Sequence, residues 1–462
     1  MTASDVRPER LQAAAPPEAI EWIERTTGGR VVRSERQPRW RPAWYIDVER
    51  DGDTLPVYFR GDRGLLDHGV YTLEHECQVL EVLEAHGIAV PHVYGFCPEP
   101  RGIVMERVPG RANLLTVHDA DTRAAILNDY MVWLARTHRI GTNPFEVAGL
   151  SVGEGDLVMA DFDRWETSYR AKKARPEPFL EFAIGWLRRN APARQVEPTL
   201  VVGDSGQFLF DAGRVTAVID LELAYLGDPL HDLACMRLRD LAEPLGPLGP
   251  AFAHYESEMG VAIDRAALDF HTIRFAVCTP MSISHVLADP PGDIDLVRYL
   301  VWYVQFSRVA LEVMAELTGV TLEPPPDAVV EATRFADAYA MLDAALADIT
   351  PDDPQQRFRL DVAQRLSAFL RTVHQIGPQL ERDDLDDAAE LLGTRPASWR
   401  DCDAELEALV ATVDEAADHD LIRFFHRRMT RWQRLLEVGM RDRLYSAQPL
   451  LWTSAVDNPE LR

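Results

Sequence analysis

Apolar and polar positions change period twice within the first hundred residues. Residues 17–27 repeat at helical spacing and stop at Gly28-Gly29. Residues 31–37, 44–50 and 54–60 read as strands, and Asp51-Gly52-Asp53 is a hairpin signal between the last two. Helical spacing returns over 71–86, where Val79, Leu80 and Leu83 share a face and Gly87 closes the run. Two further strands are predicted at 90–97 and 103–107. The order β-β-β-α-β-β predicts an antiparallel sheet with one helix.

Val108-Pro109-Gly110 ends this pattern. Helices are then predicted at 119–140, 156–172, 177–190, 250–259, 265–286 and 296–319. The segment 199–224 differs: Leu200-Val201-Val202 and 215–219 are short apolar strands around a polar loop. The stretch 321–327, TLEPPPD, cannot continue a helix and marks a linker. Residues 328–462 read as all helical. Val362, Leu366, Phe369, Leu370 and Val373 share one face, as do Leu421, Phe425, Met429, Trp432 and Leu436. The acidic run 383–387 is expected to open a helix, where carboxylates suit the dipole. The arginines between 423 and 434 are expected on a solvated face. The division is 1–107, 108–323 and 328–462.

Composition narrows the function classes. Hydrophobic residues make up 47% of the 462 positions and charged residues 26%, which is globular. A net charge of −26 opposes a general nucleic-acid surface and adsorption to anionic membranes. The five cysteines are scattered, with no CxxC pair, so a zinc ribbon or disulfide framework is not expected. No apolar run approaches the ~20 residues of a membrane span, and the first residues lack a signal-peptide core. A soluble, cytoplasmic protein is the expectation. One skew changes the picture: Lys172 and Lys173 are the only lysines, beside 46 arginines.

Candidate chemistry concentrates in 201–234, VVGDSGQFLFDAGRVTAVIDLELAYLGDPLHDLA. Asp204 follows one short strand and Asp220, sixteen residues on, follows another, predicted to lie adjacent. Phosphoryl transfer uses such a pair. One carboxylate accepts the acceptor's hydroxyl proton, while a second, with a neutral amide oxygen, holds magnesium on the nucleotide phosphates.

These residues resemble the aminoglycoside phosphotransferase and choline kinase-like superfamily of small-molecule kinases, whose loop reads H-G-D-x-x-x-x-N before a strand ending I-D-x-E. The resemblance covers about 25–320. It implies an α+β, bilobal protein-kinase-like fold, with an antiparallel-sheet N-lobe and a mostly helical C-lobe, followed here by an all-helical C-terminal domain. It implies ATP or GTP with Mg²⁺ as cofactors and a small-molecule hydroxyl acceptor. On this pattern Asp204 is the catalytic base, and Asp220 with Gln207 binds the metal. Arg60 pairs with Glu76 on the nucleotide phosphates, and Met105, Glu106 and Arg107 form the hinge toward the base. Glu222 falls on the acid of I-D-x-E, in a substrate or supporting role. Asp228 and Asp232 match G-D-P-x-x-D-L-A and are read as structural, with Asp232 a partner for the catalytic-loop backbone. His138 is read as packing on a helix.

The departures carry information. Val202 replaces the motif histidine, and Gln207 replaces the asparagine in a loop two residues shorter. The first hairpin, PRWRPA, has no glycine, so Arg39 and Arg41 are candidates for phosphate contact. The first 171 residues hold no lysine, so the cation paired with Glu76 must be an arginine. Lys172 and Lys173 form a basic knot just ahead of the catalytic loop and are candidate anchors for an anionic acceptor. The surrounding text resembles kinases linked or fused to acyl-CoA dehydrogenases, which implies a hydroxy acid or hydroxyacyl-CoA acceptor. Two alternatives stay open: an aminoglycoside or macrolide kinase, and a pseudokinase that binds nucleotide without transfer. The C-terminal region is read as a lid, a homodimer surface or a protein dock.

Overall fold

The computed structural model describes residues 14–437 apart from 40, 65–69, 154, 155, 293 and 331–333. Helix α1 (Pro17–Thr27) ends on Gly28, whose φ of 70° supplies the left-handed cap. Strands β1 (Arg30–Arg36), β2 (Ala43–Arg50), β3 (Asp53–Gly61), β4 (Val93–Pro98) and β5 (Arg101–Glu106) form an antiparallel sheet ordered β1-β2-β3-β5-β4. Alternation sorts its faces. Trp44, Ile46, Val48, Val57 and Phe59 bury against Ala19 and Ile23 of α1. Tyr58 and Arg60, one step out of phase, therefore face the opposite side, toward α2 (Leu73–Ala85). Thr72 caps α2 by accepting from the His75 amide.

The second lobe is mostly helical. It contains α3 (Ala120–His138), α4 (Asn143–Val147), α5 (Phe162–Lys172), α6 (Pro178–Asn190), α7 (Leu230–Ala242), α8 (Leu248–Met259), α9 (Arg265–Ala288) and α10 (Leu296–Thr318). Strands β6 (Thr199–Val201), β7 (Phe208–Asp211), β8 (Arg214–Val218) and β9 (Tyr225–Gly227) lie between α6 and α7. They pair as two ribbons, β6 with β9 and β7 with β8. The strands ahead of Asp204 and Asp220 therefore belong to different ribbons, not to adjacent positions in one sheet. The helix expected over 156–172 is broken: a 3₁₀ turn covers Leu157–Met159, and Asp161 at φ 70° precedes α5. The helical periodicity did not predict α7 at all. His231, Asp232, Arg237 and Asp240 on it are buried, which erases the polar face that marks a surface helix.

Among the described residues, four helices follow the proline-rich connection: α11 (Ala336–Ala347), α12 (Pro354–Leu392), α13 (Trp399–Val410) and α14 (Asp418–Leu436). The helical expectation for 438–462 lies outside the described residues. Two expectations are corrected together. The acidic run 383–387 sits near the end of the 39-residue α12 rather than at a helix start. Of the supposedly solvated arginines, Arg428 and Arg431 are buried. Arg428 donates to Asp384 at 2.9 Å and Asp403 at 2.8 Å, and Arg431 bonds Asp384 at 3.2 Å and also Asp387. Arg428 and Arg431 of α14 thus pair with Asp384 and Asp387 of α12 and are withdrawn from water, whereas Arg423 and Asp386 stay exposed.

Leu385, Cys402, Leu406, Leu421 and Phe425 share one hydrophobic core with α5, α6, α9 and α10. Phe425 packs between Phe179 and Phe182 of α6. No helix among the described residues is long and apolar enough to cross a membrane.

Arg431→Ala removes one of two arginine partners from each of Asp384 and Asp387, which keep Arg428 and Arg427. It should destabilise the protein by about 2 kcal/mol, the scale for a lost hydrogen bond to a charged group. Urea unfolding followed by circular dichroism measures this. A change below about 0.5 kcal/mol would show that the pairs behave as surface contacts.

Candidate active site

A cavity of about 310 Å³ opens between the lobes. Tyr45, Tyr58, Arg39 and Arg60 contribute from the sheet, and Glu76 and Leu80 from α2. Met105, Glu106, Arg107 and Val108 line it at the lobe connection, and Gln207, Phe208, Leu209 and Asp220 line it from the second lobe. Tyr45 and Tyr58 pack with ring centroids 5.8 Å apart, and the Arg107 guanidinium lies 5.3 Å over Tyr45. At the connection, the Glu106 amide donates to His92 O and the Arg107 amide to Pro56 O. Val108, which the sequence reading did not single out, is the first amide there with no partner among the described residues.

Arg60 is the electrostatic centre. Its Nε donates to Glu76 Oε2 at 2.8 Å, and its Nη2 bonds Asp220 and reaches Glu222 Oε2 at 3.1 Å. Arg60 is 4% exposed and Glu76 1%. Two more guanidinia grip Glu222: Arg41, from the β1–β2 hairpin, and Arg63, just beyond β3. The three arginines come from one lobe and Glu222 from the other. Burial favours a neutral Asp220, but the guanidinia of Arg60, Arg41 and Arg63 outweigh it and hold the acid well below the usual carboxylate range. Burial, helped by Arg60, brings the Arg41 guanidinium down to about 10. Asp220 itself sits at φ 65°, a left-handed conformation that aspartate tolerates better than most residues.

The catalytic-loop candidate is held from beneath. Asp232, fully buried on α7, accepts from the Val202 amide at 2.8 Å, the Gly203 amide at 3.0 Å and the Ser205 hydroxyl. His138 Nε2 donates to the same carboxylate at 2.9 Å, and its Nδ1 pairs with the Tyr255 hydroxyl at 2.7 Å. His138 is therefore part of the loop's anchor rather than simple helix packing. Gly203 has φ 90°, and a Cβ there would lie 2.6 Å from Leu223 O, so only glycine lets the chain turn here. The turn presents Asp204. Burial pushes its carboxyl up to about 6 against the pull of Arg239, with Asp220 and Glu222 adding to the rise. Gln207 Nε2 donates to Asp204 Oδ2 at 3.0 Å.

Asp204's neighbour Gln207, together with Asp220, Arg60, Glu76, Met105, Glu106 and Arg107, thus gathers at one cavity. Lys172 and Lys173 do not. Lys172 is exposed at the end of α5. Lys173 bridges Glu181 at 2.6 Å and Glu407 of α13 at 2.7 Å, tying the second lobe to the C-terminal helices. Arg239, bonded to Asp204 from α7, was missed; only the recognition of α7 would have suggested it. Among the described residues no three acidic, histidine or cysteine side chains cluster as a metal cage. Magnesium needs no such cage, since it takes one or two carboxylates with phosphates and water. Asp220 and the Gln207 amide oxygen suit that role, because the Gln207 nitrogen is turned to Asp204.

Residues 67–271 match the phosphotransferase enzyme family. Acyl-CoA dehydrogenase family member 10 of Mus musculus is 28% identical over 248 residues, covering 50% of this chain and 23% of that protein. Acyl-CoA dehydrogenase family member 11 of Homo sapiens is 29% identical over 215 residues, covering 44% of this chain and 27% of that protein. The chain spans about a quarter of the length of these relatives. A solved structure from Ralstonia eutropha, assigned as an aminoglycoside phosphotransferase, matches with TM-score 0.50 and 20% identity, covering 65% of this chain and 97% of that one. That likeness shows the bilobal, kinase-like fold.

Arg60→Ala leaves Glu76 buried without its cation. Stability should fall by about 3–5 kcal/mol in chemical unfolding. Arg60→Lys should recover only part of it, since one ammonium cannot span three carboxylates. Full recovery by lysine would show that the fork geometry is irrelevant.

Proposed function

We propose that this chain is a small-molecule kinase that transfers the γ-phosphate of ATP or GTP to a hydroxyl group. The observation that carries the reading is the half-buried Asp204, presented by an anchored loop beside a cavity walled by Arg60, Gln207 and Asp220. The nucleotide's phosphates lie toward Arg60, and its base lies toward Tyr58 and the 105–108 connection. The acceptor hydroxyl gives its proton to Asp204 Oδ as its oxygen bonds the γ-phosphorus. The bond from that phosphorus to the bridging oxygen breaks, leaving the nucleoside diphosphate. Asp220 and Gln207 would hold magnesium, which when bound would supply positive charge to the phosphate oxygens. Arg60, braced by Glu76, fixes the phosphates in line, a role for which bidentate, permanently charged guanidinium is suited.

The narrower reading is a hydroxy acid or hydroxyacyl-CoA acceptor. Similarity to acyl-CoA dehydrogenase family members 10 and 11 supports it. Five free, buried cysteines support a reducing, cytoplasmic setting.

Transfer from Mg-ATP should be assayed over hydroxy acids, hydroxyacyl-CoAs, aminoglycosides and macrolides. Product from an antibiotic alone would replace the acyl-CoA reading, and tight nucleotide binding with no product from any acceptor would establish a pseudokinase. Asp204→Asn should cut transfer by about 10²–10⁴ while nucleotide affinity in calorimetry stays unchanged. Undiminished transfer would remove Asp204 as the base. The base works ionised, so kcat/KM should fall about tenfold per unit as pH drops below about 6 and level off above it. A profile flat down to pH 4.5 would contradict that ionisation.

A further inference from the structure

Arg239 sits on α7 and bonds Asp204 Oδ2 through Nη2. The contact joins residues 35 positions apart. Two features make it more than a chance ion pair. The catalytic loop, Asp204 to Gln207, has no cation of its own. It also crosses Arg239 closely: a Cβ on Gly206 would lie 3.3 Å from Arg239 Cγ, and Gly206 adopts φ 98°. The short loop is laid over the aliphatic stem, which aims the guanidinium at the carboxylate.

The guanidinium is also under-used. Arginine carries five donor hydrogens. Nη2 serves Asp204, Nη1 has Glu243 at the 4.0 Å limit of an ion pair, and the buried Nε has no partner. A largely buried cation with open donors is costly unless something fills them. What arrives at Asp204 during transfer is oxygen: the acceptor hydroxyl and the γ-phosphoryl group. Donors fixed where charge gathers in the transition state are the strongest single source of catalysis.

We propose that Arg239 is a positioning residue for phosphoryl transfer, holding the Asp204 carboxylate through Nη2 and offering its remaining Nη hydrogens to the oxygens assembled there. This rests on the kinase reading above. No acceptor needs to be known for the test, because water serves: Mg-ATP hydrolysis by the full chain is measured alongside Mg-ADP affinity by calorimetry and the melting temperature. Arg239→Met should lower kcat by about 100-fold, the scale for losing one preorganised donor. KM for Mg-ATP and Kd for Mg-ADP should stay within about threefold, and Arg239→Lys should restore about tenfold of the loss. If the methionine variant does not fold, Arg239→Gln carries the same comparison.

Hydrolysis within twofold of wild type would overturn the inference while leaving the kinase reading intact. So would lysine and methionine variants that are equally slow and equally destabilised, since that marks a structural role. A wild-type chain that binds no Mg-ADP removes the kinase reading itself. One that binds Mg-ADP but hydrolyses nothing overturns the inference, and the kinase reading is then decided by the acceptor assay above.

Discussion

The cavity depends on one buried constraint: charges of opposite sign from two lobes must meet in a place water does not reach. Arg60 touches Glu76, Asp220 and Glu222, and Glu222 also takes Arg41 and Arg63. Each charge alone would pay a desolvation cost of several kcal/mol. Together they are satisfied only when the sheet, α2 and the 220–222 segment stand in one arrangement. The network is thus a poor source of net stability but a strong determinant of geometry. Lobe spacing, the seat of Asp220 and the direction of Arg60 are decided at once.

Arginine is the residue that permits this. A guanidinium offers donors in a planar fork and stays charged when buried, so Arg60 can span α2 and the second lobe simultaneously. A lysine ammonium is a point charge and would shift toward neutrality in the same surroundings. The skew of 46 arginines to two lysines therefore has a local consequence. The hairpin without glycine fits the same logic. Its Arg41 reaches the second lobe with a side chain, where a glycine-rich turn would approach with backbone amides.

The sheet was legible because alternation is a strong, local signal, and its five strands fall within a few residues of the pattern. The Arg60–Glu76 pair was legible through the family resemblance, and the absence of lysine then made its cation an arginine. What the pattern hid were residues whose partners lie far along the chain. Asp384 and Arg431 each look like surface charges until α12 and α14 are brought together. Helix α7 lost its amphipathic contrast because its polar side chains point inward to other polar groups. Lys173 read as a free anchor because Glu407 is 234 residues away. Local periodicity reports burial of apolar groups and is silent about paired charge.

Helix α7 joins these threads. Asp232 near its start gathers the amides of Val202 and Gly203 and the Ser205 hydroxyl, so it sets the curvature of the loop. Arg239 lies seven residues on, close to two turns and about 10 Å along the axis. It meets the carboxylate that the same loop presents. A rigid helix therefore fixes both the backbone that presents Asp204 and the cation bonded to its carboxylate with a single body. A motif histidine at that position would brace the loop from within, whereas here the bracing comes from Asp232, backed by His138 and Tyr255. The loss of the histidine is thus compatible with an ordered catalytic loop.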